Sequence, residues 1–110
     1  MITVAIHQDR HGQISGFTVS GHAGFAEAGN DIVCAAVSAV TLTAAAGIRD
    51  VLGRSGIYET GEGHLRVRMN GDPDEKTEAV LHTMVSGLKE IQKQFPDRIC
   101  FKNAGGESDV

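Results

Sequence analysis

His22 and Cys34, an imidazole and a thiol, stand at the two ends of one glycine-rich segment with eleven residues between them. Cys34 falls at the third or fourth position of a predicted helix, where unpaired backbone N–H groups and the positive end of the helix dipole favour an anion. A thiol at its reference pKa of about 8.5 is only a few per cent thiolate at neutral pH. Lowering that pKa by about two units takes ~2.7 kcal/mol. The helix end supplies at most about 1–2 kcal/mol, and a protonated histidine at contact distance supplies the remainder. The chemistry these two residues suit is therefore nucleophilic attack by a thiolate, with an imidazole as acid and base. A loop that leaves a strand end and returns to a helix start closes the distance between them at little entropic cost.

Two further residues sit at helical spacing around the thiol. Asp31, one turn before Cys34, can orient and charge the His22 ring or simply cap the helix. If its carboxylate faces the sulfur it opposes thiolate formation, so a supporting role requires it to face His22. Ser38, four residues after Cys34, can donate into the site or bond back to the Cys34 carbonyl. The plain readings stand beside these: Cys34 as a small buried hydrophobe, His22 as a loop histidine, Asp31 as a cap.

These residues need a strand end and a helix start to hold them. Residues 2–8 and 13–20 alternate with period two around the turn Asp9–Gly12, which predicts an antiparallel hairpin. The segment 21–30 follows, with Gly21, Ala23, Gly24, Phe25 and Gly29 as its substrate-loop candidates, and reads as a lid or binding loop. A helix over 31–52, closed by Gly53, carries the stripe Val33, Val37, Val40, Ala44, Ile48 and Val51. Its other faces hold small apolar residues, which predicts cover on more than one side, by a sheet and a second subunit or by burial within a single chain. Residues 56–60 and 64–69 form a second hairpin with Arg66 and Arg68 on its outer face. Asp72-Pro73-Asp74-Glu75 starts a helix, with Asp72 as cap, that runs to about Gln94. Its apolar stripe is Leu81, Met84, Val85, Leu88, Ile91 and Phe95. A short strand over 98–102 and a frayed tail over 104–110 complete the chain. The order ββαββαβ predicts one α+β domain over residues 1–103, with helices packed on one face of a largely antiparallel sheet.

The 110 residues, with a net charge of −4, 41% hydrophobic and 22% charged, describe one soluble domain and disfavour a nucleic-acid-binding surface. The sequence pI of 5.6 and mean hydropathy of −0.10 agree. Two cysteines make no disulfide framework and no CxxC pair, and no signal peptide pattern opens the chain, so a cytoplasmic protein is expected. The longest apolar run, within 32–48, is interrupted by Ser38, Thr41 and Thr43, and no membrane span is expected. His7, His11, His64 and His82 lack ligand spacing and receive no role, no metal or cofactor is expected, and Cys100 reads as packing. Gly61-Glu62-Gly63 reads as a hairpin turn rather than a phosphate loop.

The pairing of Gly21-His22-Ala23 with Gly29-Asn30-Asp31-Ile32-Val33-Cys34-Ala35-Ala36-Val37-Ser38 resembles the ribosomal-processing cysteine protease family. The resemblance implies a catalytic dyad of His22 and Cys34, with Asp31 and Ser38 in supporting positions. It also implies a homodimeric endopeptidase that removes a short N-terminal extension from a large-ribosomal-subunit protein. On that reading, backbone N–H groups near the helix start hold the oxyanion. Two readings of another class compete: a non-catalytic ribosome-assembly module that binds peptide, and a thiol-based redox sensor with Cys100 as the resolving partner.

Overall fold

The computed structural model describes residues 1–22 and 31–103. The loop candidates Ala23, Gly24, Phe25 and Gly29 and the tail 104–110 lie outside the described residues. The chain order is β1 (Ile2–Gln8), β2 (Ile14–Ser20), α1 (Ile32–Ala46), a π-helical turn (Gly47–Val51), β3 (Gly56–Gly61), β4 (His64–Met69), α2 (Glu75–Gln94) and β5 (Ile99–Asn103). This is the expected ββαββαβ order.

Asp9 makes the first turn, its Oδ1 accepting from the N–H groups of His11 at 2.9 Å and Gln13 at 3.0 Å. Alternation in β1 and β2 then sends Ile2, Val4 and Phe17 inward, where all three are buried. The sheet order is β3-β4-β2-β1-β5. Every pairing is antiparallel except β1 with β5. The pairing of β2 with β4 joins segments distant in sequence and sets Ser20 opposite His64. The end of β2 and the β3–β4 turn therefore share one end of the sheet.

Both helices close over the inner sheet face. From α1, Val33, Val37, Thr41, Ala44 and Ala45 are buried, and from α2, Leu81, Met84 and Leu88. Residues Ile32–Val51 are long and apolar enough to cross a membrane by length and composition. Here their inner stripe is spent on the sheet and on α2, as in the core helix of a globular domain.

Two expectations are corrected. Val51 is not part of the core stripe: it is 81% exposed. The Leu52 N–H bonds to the Gly47 carbonyl, five residues back, at 2.9 Å, and the extra residue in that turn shifts the phase and rotates Val51 outward. The cap of α2 is Asp74 rather than Asp72. Its carboxylate accepts from the Thr77 N–H at 2.9 Å while the Thr77 hydroxyl accepts from the Asp74 N–H at 2.9 Å. This reciprocal pair satisfies two helix-start groups at once, which Asp72 has no partner to do.

Candidate active site

At the end of the sheet where β2 stops and α1 begins lies an open cavity of about 460 Å³. Besides Ile2 and Val19 of the sheet, it is lined by Gly21 and His22 beyond β2, by residues between Asp31 and Leu42 at the start of α1, and by Thr60 to Leu65 from the β3–β4 hairpin. His22, Asp31, Cys34, Ser38 and Gly21 all reach this one cavity. Its floor is apolar, from Ile2, Val19, Val37 and Leu65.

Asp31 is the organising residue of the helix start. It has extended backbone, φ −80° and ψ 100°, as an N-cap requires. Its Oδ1 accepts from the N–H groups of Val33 at 3.0 Å and Cys34 at 3.1 Å, and its carbonyl accepts from Ala35 at 3.1 Å. These three first-turn donors all end on Asp31. The second carboxylate oxygen, Oδ2, accepts from Cys34 Sγ at 3.3 Å. Asp31, 7% exposed, thus turns its second oxygen toward the sulfur.

His22 sits across the β2–β4 seam. The Gly21 N–H donates to the Gly63 carbonyl at 3.0 Å, which ties the chain before His22 to the β3–β4 turn. The imidazole lies against Gly63. Ser38 is exposed on the cavity side of α1, and its carbonyl accepts, at 3.5 Å, from the Thr41 hydroxyl, whose shorter bond, 2.8 Å, goes to Val37.

The hairpin residues Thr60 to Leu65 were not singled out as site residues by sequence reasoning. Their contribution depends on β4 pairing with β2, which no local pattern in the sequence announces. Cys100 lies elsewhere, on the uncovered sheet face beside the Thr3 hydroxyl, 3.5 Å from its Sγ. The sheet itself separates Cys100 from Cys34 on α1.

A first-turn helical thiol held by a carboxylate, sharing an open cavity with an imidazole, is the arrangement of a cysteine hydrolase on an α+β domain. Known proteins narrow the class: a family model described as Cysteine protease Prp matches residues 1–100, and the chain belongs to that family of cysteine proteases. It is 32% identical over 101 residues to the ribosomal processing cysteine protease Prp of Staphylococcus aureus, covering 90% of this chain and 95% of that one. To the Bacillus subtilis protein of the same description it is 29% identical over 105 residues, covering 90% and 94%. The crystal structure of the S. aureus protease with a covalently linked product peptide superposes with a TM-score of 0.86 at 28% identity, over 94% of this chain and 99% of that one. The fold is shared also by SMU.848 of Streptococcus mutans, with a TM-score of 0.75 at 23% identity over 94% and 93%.

Proposed function

We propose that this chain is a cysteine endopeptidase in which Cys34 is the nucleophile and His22 the acid and base, and that its substrate is the N-terminal extension of a large-subunit ribosomal protein. The observation that carries the reading is the convergence of His22, Asp31 and Cys34 on one open cavity. The S. aureus relative, described as bearing a covalently linked product peptide, supports a covalent route.

The steps balance with the residues present. The thiol proton passes from Cys34 Sγ to His22 as the sulfur attacks the scissile carbonyl, forming a carbon–sulfur bond. Collapse breaks the carbon–nitrogen bond, and His22 gives its proton to the leaving amine. Water then gives a proton to His22 while its oxygen adds to the thioester. The carbon–sulfur bond breaks, and Cys34 recovers its proton. Asp31 holds the thiol in place before attack and fixes the helix start that carries it. The apolar floor and the exposed Leu42 provide a surface for an extended apolar stretch of peptide.

A second copy of this chain belongs, on the same reading, on the groove between α1 and α2. That groove is about 790 Å³ and, among the described residues, has no charged one in its lining, which includes Ala39, Val40, Val51, Val80 and Met84. Cys34 and Cys100, neither of them in a disulfide, fit a reducing, cytoplasmic setting. The redox-sensor reading loses its intramolecular form, because the two cysteines sit on opposite faces of the sheet.

The test is mass-spectrometric cleavage of a peptide spanning the N-terminal extension of the same organism's ribosomal protein. Wild type should cleave it, and Cys34→Ala and His22→Ala should not, with folding retained in both. Full cleavage by Cys34→Ala would remove the thiol from the mechanism. Stoichiometric binding with no product from wild type would favour the non-catalytic peptide-binding module instead.

A further inference from the structure

The β3–β4 turn contains a glycine whose missing side chain matters to His22. Gly63 has φ +68°, a left-handed conformation that strains any residue with a Cβ. The same strain would arise at Gly53, with φ +67°. The surroundings of the two positions differ. A Cβ on Gly53 would meet nothing within 4 Å. A Cβ on Gly63 would lie 2.8 Å from His22 Nε2, 3.1 Å from Cε1 and 3.5 Å from Cδ2. Three atoms of one ring at these distances mean that the imidazole rests on the Gly63 backbone with its Nε2 edge closest.

The backbone around this contact is tied down on both sides. The Gly63 carbonyl accepts from the Gly21 N–H at 3.0 Å, and Ser20 is in register with His64. Gly21 has φ +91° and comes so close to Met1 that a Cβ there would lie 2.4 Å from the Met1 carbonyl oxygen. These contacts hold the backbone at Gly21, just before His22, against the turn. A side chain at position 63 would have to push the ring instead.

We propose that Gly63 is a positioning residue of the protease: its bare backbone is the seat that sets where the His22 imidazole stands on the cavity wall. The proposal rests on the reading of His22 as the acid and base. Displacing a reacting group by about 1 Å can cost on the order of 100-fold in rate, so filling the seat acts on turnover.

The experiment compares Gly63→Ala, Gly63→Asn, Gly53→Ala, His22→Ala and wild type as full-length protein. Gly53→Ala carries the same backbone strain with no neighbour to strike. Asn tolerates the left-handed region better than other residues with a Cβ, so Gly63→Asn keeps the collision while easing the strain. Three readouts are taken: melting temperature, kcat and KM on the cleaved peptide, and the His22 ring proton shifts by NMR. The proposal predicts similar melting temperatures for Gly63→Ala and Gly53→Ala. It predicts kcat at least about tenfold lower in both Gly63 variants with KM within about twofold, and wild-type kcat in Gly53→Ala. The His22 ring shifts should move in both Gly63 variants and stay fixed in Gly53→Ala. Unmoved ring shifts in the Gly63 variants overturn the seat, and so does a kcat in those variants within twofold of Gly53→Ala. If His22→Ala keeps wild-type turnover, the acid–base reading fails, and the ring shifts still decide whether Gly63 positions the ring.

Discussion

Replacing Asp31 by Asn takes a negative charge from beside the Cys34 sulfur while keeping an oxygen to cap α1. The carboxylate Oδ2 stands 3.3 Å from Sγ. Two unit charges at that separation repel by about 1.3 kcal/mol in a water-like medium and about 5 kcal/mol at an effective dielectric constant of 20. The cavity is open and Cys34 is only half-buried, so the lower part of this range applies. A gain of about 1.4 to 2.7 kcal/mol corresponds to a thiol pKa one to two units lower in Asp31→Asn than in wild type. The assay is the pH dependence of Cys34 alkylation by iodoacetamide, followed by intact mass in a Cys100→Ser background. That substitution is remote from the cavity, since Cys100 lies on the other face of the sheet beside Thr3. Alkylation at pH 7 should rise several-fold to tenfold in Asp31→Asn. Asp31→Ala should show the same rise and, having lost the cap, fall in stability by about 0.5–2 kcal/mol. An unchanged or raised thiol pKa in Asp31→Asn would refute the electrostatic reasoning.

The groove between the helices yields a second expectation: Val51→Glu combined with Ala79→Glu should convert a dimer to a monomer by light scattering without lowering the melting temperature of the monomer. Val51 is 81% exposed, so the charge costs the single chain no core. A dimer that survives both charges places the second copy elsewhere. At the α2 cap, the backbone N–H of Thr77 holds the Asp74 carboxyl below its ordinary value of 3.8. A depressed carboxylate contributes stability that is present above its unfolded pKa and is lost as pH falls through the folded value. The melting temperature of Asp74→Asn should therefore lie below wild type at pH 7, and the gap should narrow below pH 3.8. A gap independent of pH would mean that the charge plays no part in the cap.

The parts of the site that follow one another along the chain were legible in the sequence. Asp31, Cys34 and Ser38 share a helix start, and helical spacing alone sets them on neighbouring positions of one element. The direction of the Asp31 carboxylate was not legible, because a cap leaves its second oxygen free to turn toward His22 or toward the sulfur. The wall made by Thr60 to Leu65 was hidden for another reason. It reaches the site through the β2–β4 pairing, a contact between segments distant in sequence, and the sequence of each hairpin is consistent with several strand orders. The sheet order β3-β4-β2-β1-β5 decides it. Smaller misreadings were local: two aspartates two residues apart both suit a cap, and only the Thr77 hydroxyl selects Asp74. In the turn Gly47–Val51 the apolar residues Ile48 and Val51 continue the spacing of the helix before it, so the periodicity ran on through a change of phase that only backbone hydrogen bonds reveal.

The central claim is that Cys34 carries the acyl group during peptide cleavage, and the most direct measurement is the intact mass of wild-type protein acid-quenched in the first turnovers of a cleaved peptide. The account predicts an added mass equal to the N-terminal fragment less one water, localised to Cys34 and absent from Cys34→Ala. Cleavage that proceeds with no adduct, and that persists in Cys34→Ala, would contradict it.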